Sequence, residues 1–204
     1  MDRKALLVLA TLLTVALAAI AAAPATQPGP VVGTSFELKD VDGKACRPLG
    51  AARARGARGV VFLFVAIDCP ISNGYSPEIE RICDAYGKSD KRDGAFDFYF
   101  VHADPDLSVA DARKHASDYG YACPVLMDPK KELAGKLGAV VTPEVFVVST
   151  AGSLLYQGRI DDRYVGYGKL RAEPTKWDLR DALDAIAAGK PVATPVTKAI
   201  GCPI

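Results

Sequence analysis

The chain has 204 residues, half of them hydrophobic, and a formal charge of +1. This length holds one domain of ordinary size with extensions, and the balanced charge, without a Lys/Arg stripe, excludes a nucleic-acid surface. Its five cysteines and two histidines match no zinc spacing, so no metal or cofactor is expected.

Residues 1–25 read as a secretory signal. Asp2-Arg3-Lys4 is net positive, an uncharged apolar run follows to Ala23, and Ala23-Pro24-Ala25 offers small residues for cleavage after Ala25. The rival reading is an uncleaved membrane anchor, since a bilayer span needs ~20 apolar residues. Either way the remainder lies outside the cytosol, periplasmic or secreted, where disulfides persist. An odd cysteine count leaves at least one thiol free or paired with another molecule.

The main domain is expected over 26–190, opened by a Pro/Gly linker at 26–35. The stretch FELKDVDGKACRPL alternates around Asp42-Gly43, a hairpin signal, with Cys46 as a small buried residue in the second arm. Residues 60–66 (VVFLFVA) are a strand buried on both faces. A helix is expected over 71–87, with Ile79, Ile82 and Tyr86 on one stripe. Residues 96–102 form a second strand. Ser108 caps a helix that closes near Gly120. CPVLMD is a short strand and KKELAGKLG a short helix ending at Gly138.

Strands at 144–149 and 153–158 flank Thr150-Ala151-Gly152 as an antiparallel hairpin. Residues 159–175 read as an irregular loop. Asp161 and Asp162 are too few and too close in sequence to ligate one ion, and are expected in a surface ion-pair network with Arg159 and Arg163. The last helix is capped by Thr175 and buries Trp177, Leu179, Leu183 and Ile186. Residues 191–204 are an extended tail ending in Gly201-Cys202-Pro203-Ile204, expected without regular structure. This order implies an α/β fold: a mixed sheet with helices on both faces, an extra N-terminal β-hairpin and a C-terminal tail.

Cys69 sits where a strand gives way to a helix. Unpaired N–H groups and the helix dipole favour thiolate there, and such sites lower a cysteine pKa from ~8.5 into the range ~3.5–7.5. Thiolate is the attacking species in disulfide exchange and peroxide reduction. The carboxylate of Asp68 opposes this if it faces the sulfur. A buried, inert cysteine is the alternative.

Three local features resemble the thioredoxin fold, and within it the redoxin group of peroxiredoxin-like and extracytoplasmic thiol-disulfide proteins: FVAIDCP, Pro77 eight residues after Cys69, and GAVVTPEVFVV. The resemblance spans roughly residues 31–188. It also extends to exported bacterial proteins with Asp-Cys-Pro and a terminal Gly-Cys-Pro-Ile. It implies that Thr142-Pro143 is a cis-proline site facing Cys69, where the Thr142 backbone holds an extended substrate, with Glu144 as a nearby charge. Two departures matter. Ser72 stands where thioredoxins have cysteine, and Ala66 stands where peroxiredoxins have Thr or Ser.

Cys69 can therefore form a mixed disulfide that Ser72 cannot release. Along one continuous helix Cys83 lies about 21 Å away at ~1.5 Å per residue, beyond the ~7 Å that a disulfide allows between Cα atoms. Cys123 reads as core. The tail, whose 14 residues reach up to ~45 Å when extended, makes Cys202 the candidate partner, as resolving thiol or standing disulfide; the alternative is an incidental thiol. His115 is expected in a packing or solvated role, and His102 is a possible neighbour of Cys69. Three functions compete: an exported thiol-disulfide oxidoreductase acting on protein or small-molecule thiols and disulfides; a thiol peroxidase; and a non-enzymatic module binding a partner or copper through Cys69 and Cys202.

Overall fold

The computed structural model describes residues 31–87 and 95–204. The signal or anchor expected at 1–25 lies outside the described residues. From residue 31 the chain is already packed, not a linker: the amides of Val31 and Val32 donate to the Gly152 carbonyl, and Val32 is fully buried.

β1 (Leu38–Asp40) and β2 (Ala45–Cys46) form the expected hairpin. The Asp40 carboxylate accepts from the amides of Asp42 and Lys44 and so fixes its turn. An unanticipated helix follows, α1 (Pro48–Ala54), begun by a proline whose φ is already helical and burying only Pro48, Leu49 and Ala52. β3 (Gly59–Phe64) is buried at every position.

The single helix expected over 71–87 is two: α2 (Pro70–Gly74) and α3 (Ser76–Tyr86), joined at Tyr75. Pro77 lacks the N–H that a continuous helix would give to the Asn73 carbonyl. β4 (Phe96–His102) leads to α4 (Val109–Asp118), where the Ser108 hydroxyl accepts from the Asp111 amide as a cap. β5 (Val125–Met127) and α5 (Glu132–Leu137) follow, the latter closed by left-handed Gly138.

β6 (Val141–Thr142), β7 (Glu144–Ser149) and β8 (Leu154–Gly158) come next. The expected irregular loop contains a small hairpin, β9 (Tyr164–Gly166) with β10 (Lys169–Leu170). α6 (Asp178–Ala187) buries Leu179, Leu183 and Ile186, but Trp177 is 40% exposed. Thr175 does not cap it, because its amide and hydroxyl donate to Asp162 instead. The tail ends in β11 (Cys202–Pro203).

Seven strands form one sheet in the order β2-β1-β5-β4-β3-β7-β8. β5, β4 and β3 run parallel, and the other neighbours pair antiparallel. Alternation along β3 divides the core. Val61 and Leu63 pack with Ile79, Ile82, Leu179 and Leu183 of α3 and α6. Val60, Phe62 and Phe64 pack with Leu49 of α1 and Leu133 and Leu137 of α5. The fold is the expected mixed sheet with helices on both faces.

Phe146 is fully buried and meets Phe64 edge-to-face at 5.6 Å. Phe146→Ala should cost about 3–5 kcal/mol in a urea titration. Val140→Ala, at a side chain 64% exposed, should stay within about 0.5 kcal/mol of the parent.

Candidate functional site

β3 ends at Phe64, and five residues later Cys69 occupies the N-cap of α2. Its sulfur accepts from the Ser72 amide at 3.4 Å, and its thiol donates to the Thr142 carbonyl at 2.9 Å. The Thr142–Pro143 peptide is cis. Cys69, Thr142 and Pro143 are thus brought together. α2 is only five residues long, so the expected dipole contributes little, and the Ser72 N–H does the local work.

The C-terminal tail arrives at the same place, and it is not structureless. The Gln157 amide donates to the Pro195 carbonyl, and the Thr197 amide donates to the Gln157 carbonyl, both at 2.9 Å. The Thr197 hydroxyl meets the Tyr156 hydroxyl at 2.8 Å. β11 then pairs antiparallel with β6, setting Cys202 opposite Thr142 and Pro203 opposite Val141. The Ile204 amide closes the pairing on the Val140 carbonyl at 3.1 Å.

Glycine at 201 is a steric requirement, because a Cβ there would lie 2.1 Å from the Thr142 carbonyl oxygen. From the other side the Tyr167 hydroxyl donates to the Gly201 carbonyl. Tyr164 leans over α2, its ring 4.9 Å from that of Tyr75, and the Tyr75 hydroxyl bonds Asp161 at 2.5 Å. Sequence reasoning missed Tyr164 and Tyr167, since no local pattern marks them, and read Gly201 only as part of a terminal motif without regular structure. Together these groups seal Cys69 completely from solvent.

Burial raises the Cys69 thiol. Hydrogen bonds from the Cys202 thiol, the Ser72 amide and the Cys202 amide outweigh it, leaving Cys69 below the ordinary thiol range. Cys202 moves oppositely, pushed up to about 11 by burial, by its hydrogen bond to Cys69, and by the charges of Cys69 and Asp68. Asp68 therefore acts on Cys202. A cleft of about 170 Å³ opens beside the site, lined by Ala66, Asp68, Asp104, Lys131, Thr142 and Pro203 among others.

The other candidates lie elsewhere. The Glu144 carboxylate accepts from the Val140 amide and is raised by burial, so it orders the turn before the cis peptide. The expected surface network at 159–163 is not formed. Arg159 pairs with Asp178, Asp161 serves Tyr75 and the Arg163 amide, and Asp162 binds Thr175, Lys176 and Arg171. Both aspartates are buried. Cys46 is half-buried beside Asp40. Cys83 and Cys123 are free thiols; Cys123 packs against the apolar cluster that holds Cys83. Among the described residues no group of three or more His, Cys, Asp or Glu side chains is placed to hold a metal ion.

His102 and His115 are buried ring to ring at 5.2 Å. His115 continues to the Asn73 side-chain oxygen at 2.9 Å, and Asn73 to the Ile67 carbonyl at 2.9 Å. The pair therefore braces the segment carrying Cys69 rather than touching its sulfur. Burial, then the charge of His115, push His102 from 6.5 to about 4. The native state thus refuses a proton that the unfolded chain accepts. His102's contribution to stability is whole above about pH 6.5 and lost as pH falls toward 4, on the order of 3 kcal/mol in all. Urea midpoints measured across that window should fall in the parent and fall less in His102→Gln.

A family model described as the AhpC/TSA family matches residues 32–157. No curated protein matches the chain. Among solved structures, a hypothetical protein from Sinorhizobium meliloti is 25% identical with a TM-score of 0.67, covering 89% of this chain and 95% of its own. An uncharacterized conserved protein from Geobacillus kaustophilus is 25% identical with a TM-score of 0.68, covering 88% and 89%. A thiol-disulfide oxidoreductase from Bacteroides fragilis is 16% identical with a TM-score of 0.50, covering 60% and 85%, a likeness of fold alone.

Proposed function

The chain belongs to the AhpC/TSA family and has the thioredoxin-like fold of the redoxins, and from that premise we propose that it is an exported thiol-disulfide oxidoreductase with Cys69 as nucleophile and Cys202 as resolving thiol. The observation that carries the reading is the pairing of β11 with β6, which sets Cys202 opposite Thr142, the residue whose carbonyl accepts from the Cys69 thiol.

The Cys69 thiolate attacks a substrate disulfide, forming a mixed disulfide and expelling one substrate thiolate. The Cys202 thiol gives its proton to solvent and attacks the Cys69 sulfur, forming Cys69–Cys202 and expelling the second thiolate. Two electrons pass from the protein dithiol to the substrate, and an external dithiol restores the pair by the reverse steps. Because Cys69 is sealed, β11 moves aside for the first attack and returns for the second. Export rests on the apolar segment before residue 26; among the described residues no helix is long and apolar enough to cross a membrane.

Non-reducing peptide mapping of the oxidised protein tests this. Cys69 and Cys202 should be recovered as one linked peptide, and recovery of both as separate free thiols rejects the assignment. The family match favours one second reading, peroxide reduction, in which Cys69 becomes a sulfenic acid that condenses with Cys202 and releases water. Ala66, in place of Thr or Ser, argues against it. A sulfenic-acid probe applied to Cys202→Ser after peroxide should leave Cys69 unlabelled; labelling would favour peroxide as the oxidant.

A further inference from the structure

Three thiols remain that the proposed mechanism does not use, Cys46, Cys83 and Cys123, and the last two lie near each other. Cys83 lies on α3 and is 7% exposed, and Cys123 lies in the connection from α4 to β5 and is half-buried. They come from elements forty residues apart in the chain, yet Cys123 packs against the apolar cluster that holds Cys83, and Gly87, which lines a cleft with Cys123, donates its amide to the Cys83 carbonyl at 2.8 Å. The surroundings of the pair are asymmetric. Cys123 lines a cleft of about 210 Å³ with Gly87, Asp97, Tyr99 and Pro124, so a small reagent can reach it. Cys83 does not line that cleft and packs instead in the core with Ile79, Ile82 and Phe98.

The chemistry follows the same division. The hydrogen bond from Cys83 lowers Cys123, outweighing burial. That bond and then burial raise Cys83. The sulfur that lines the cleft is the one a reagent meets first, and the sealed sulfur can only follow. This is the arrangement that an attacking thiol and a following thiol require.

We propose that Cys83 and Cys123 form a second dithiol–disulfide couple, entered through the Cys123 cleft by low-molecular-weight disulfides and independent of Cys69. In the forward step the Cys123 thiolate attacks the reagent disulfide, forming a mixed disulfide and releasing one reagent thiolate. Cys83 loses its proton to solvent and attacks the Cys123 sulfur. The Cys83–Cys123 bond forms, the mixed disulfide breaks, and the second reagent thiolate leaves. The reagent gains two electrons and the protein pair loses two. The oxidised form ties α3 to the α4–β5 connection.

The test uses the full chain carrying Cys69→Ser and Cys202→Ser, exposed to glutathione disulfide, alkylated and mapped without reduction. The same mapping on the parent, where the Cys69 and Cys202 peptides have different masses, keeps the test valid if the double variant does not fold. A linked Cys83–Cys123 peptide is expected, with Cys46 recovered alkylated. Adding Cys83→Ser should then leave glutathione stranded on Cys123, with the adduct rising from a trace to the main species. Recovery of both thiols alkylated overturns the proposal, as does glutathione persisting on Cys123 while Cys83 is still present.

Discussion

Cys69→Ser should reduce disulfide exchange to background, a loss on the order of a thousandfold or more, as removal of an attacking group does. The serine hydroxyl cannot supply the thiolate that exchange needs, although it can still donate to the Thr142 carbonyl and keep the fold. Cys202→Ser should behave differently. The first attack on a substrate disulfide survives, and the mixed disulfide at Cys69 is stranded because Ser72 cannot release it. Mass spectrometry after one equivalent of a disulfide substrate separates the cases: no adduct in Cys69→Ser, a persistent adduct in Cys202→Ser, and an internal disulfide in the parent. Equal loss of first-step reactivity in both variants would mean that Cys202 does not act second.

Gly201→Ala should uncover the buried sulfur. A methyl group at residue 201 would stand 2.1 Å from the Thr142 carbonyl oxygen and 2.5 Å from its carbon, so β11 must leave β6. Leaving gives up the bond from Ile204 to Val140 and the bond from Tyr167 to Gly201. At about 0.5–1.5 kcal/mol each, their loss raises the open population on the order of 10- to 100-fold. Alkylation of Cys69 in the reduced protein should accelerate by that factor, and closure of the Cys69–Cys202 disulfide should slow as the effective concentration of Cys202 falls. Cys202→Ser, which keeps the glycine and the strand, should leave alkylation of Cys69 slow. An unchanged rate in Gly201→Ala would show that β11 is not the cover.

Much of this was legible locally. The apolar run at 60–66, the Ser108 cap, the Gly138 stop and the hairpin around residues 150–152 are signals spanning a few residues, and each produced the expected element. α1 escaped because PLGAARA carries no apolar stripe and buries little. The helix expected over 71–87 divides just before Pro77, where the family resemblance implies a kink, because a proline is tolerated in a first turn and that first turn belongs to α3. Thr175 and Trp177 have the composition of a helix start, but Thr175 is drawn away by Asp162, a partner thirteen residues back.

The sequence alone determined the class of fold, the position of Cys69 at a strand-to-helix junction and the reach of the tail. These follow from periodicity, capping and chain length, which act over a turn or a strand; the proline facing Cys69 came only from the family resemblance. Tertiary structure alone decided that the tail is a strand, that Cys202 lies opposite Thr142, that Tyr167 and Gly201 seal the site, and that Cys83 meets Cys123. Pairings between residues from about thirty to more than a hundred apart depend on how the whole chain closes on itself. Two residues of strand or one thiol carry too little local preference to announce such partners in advance.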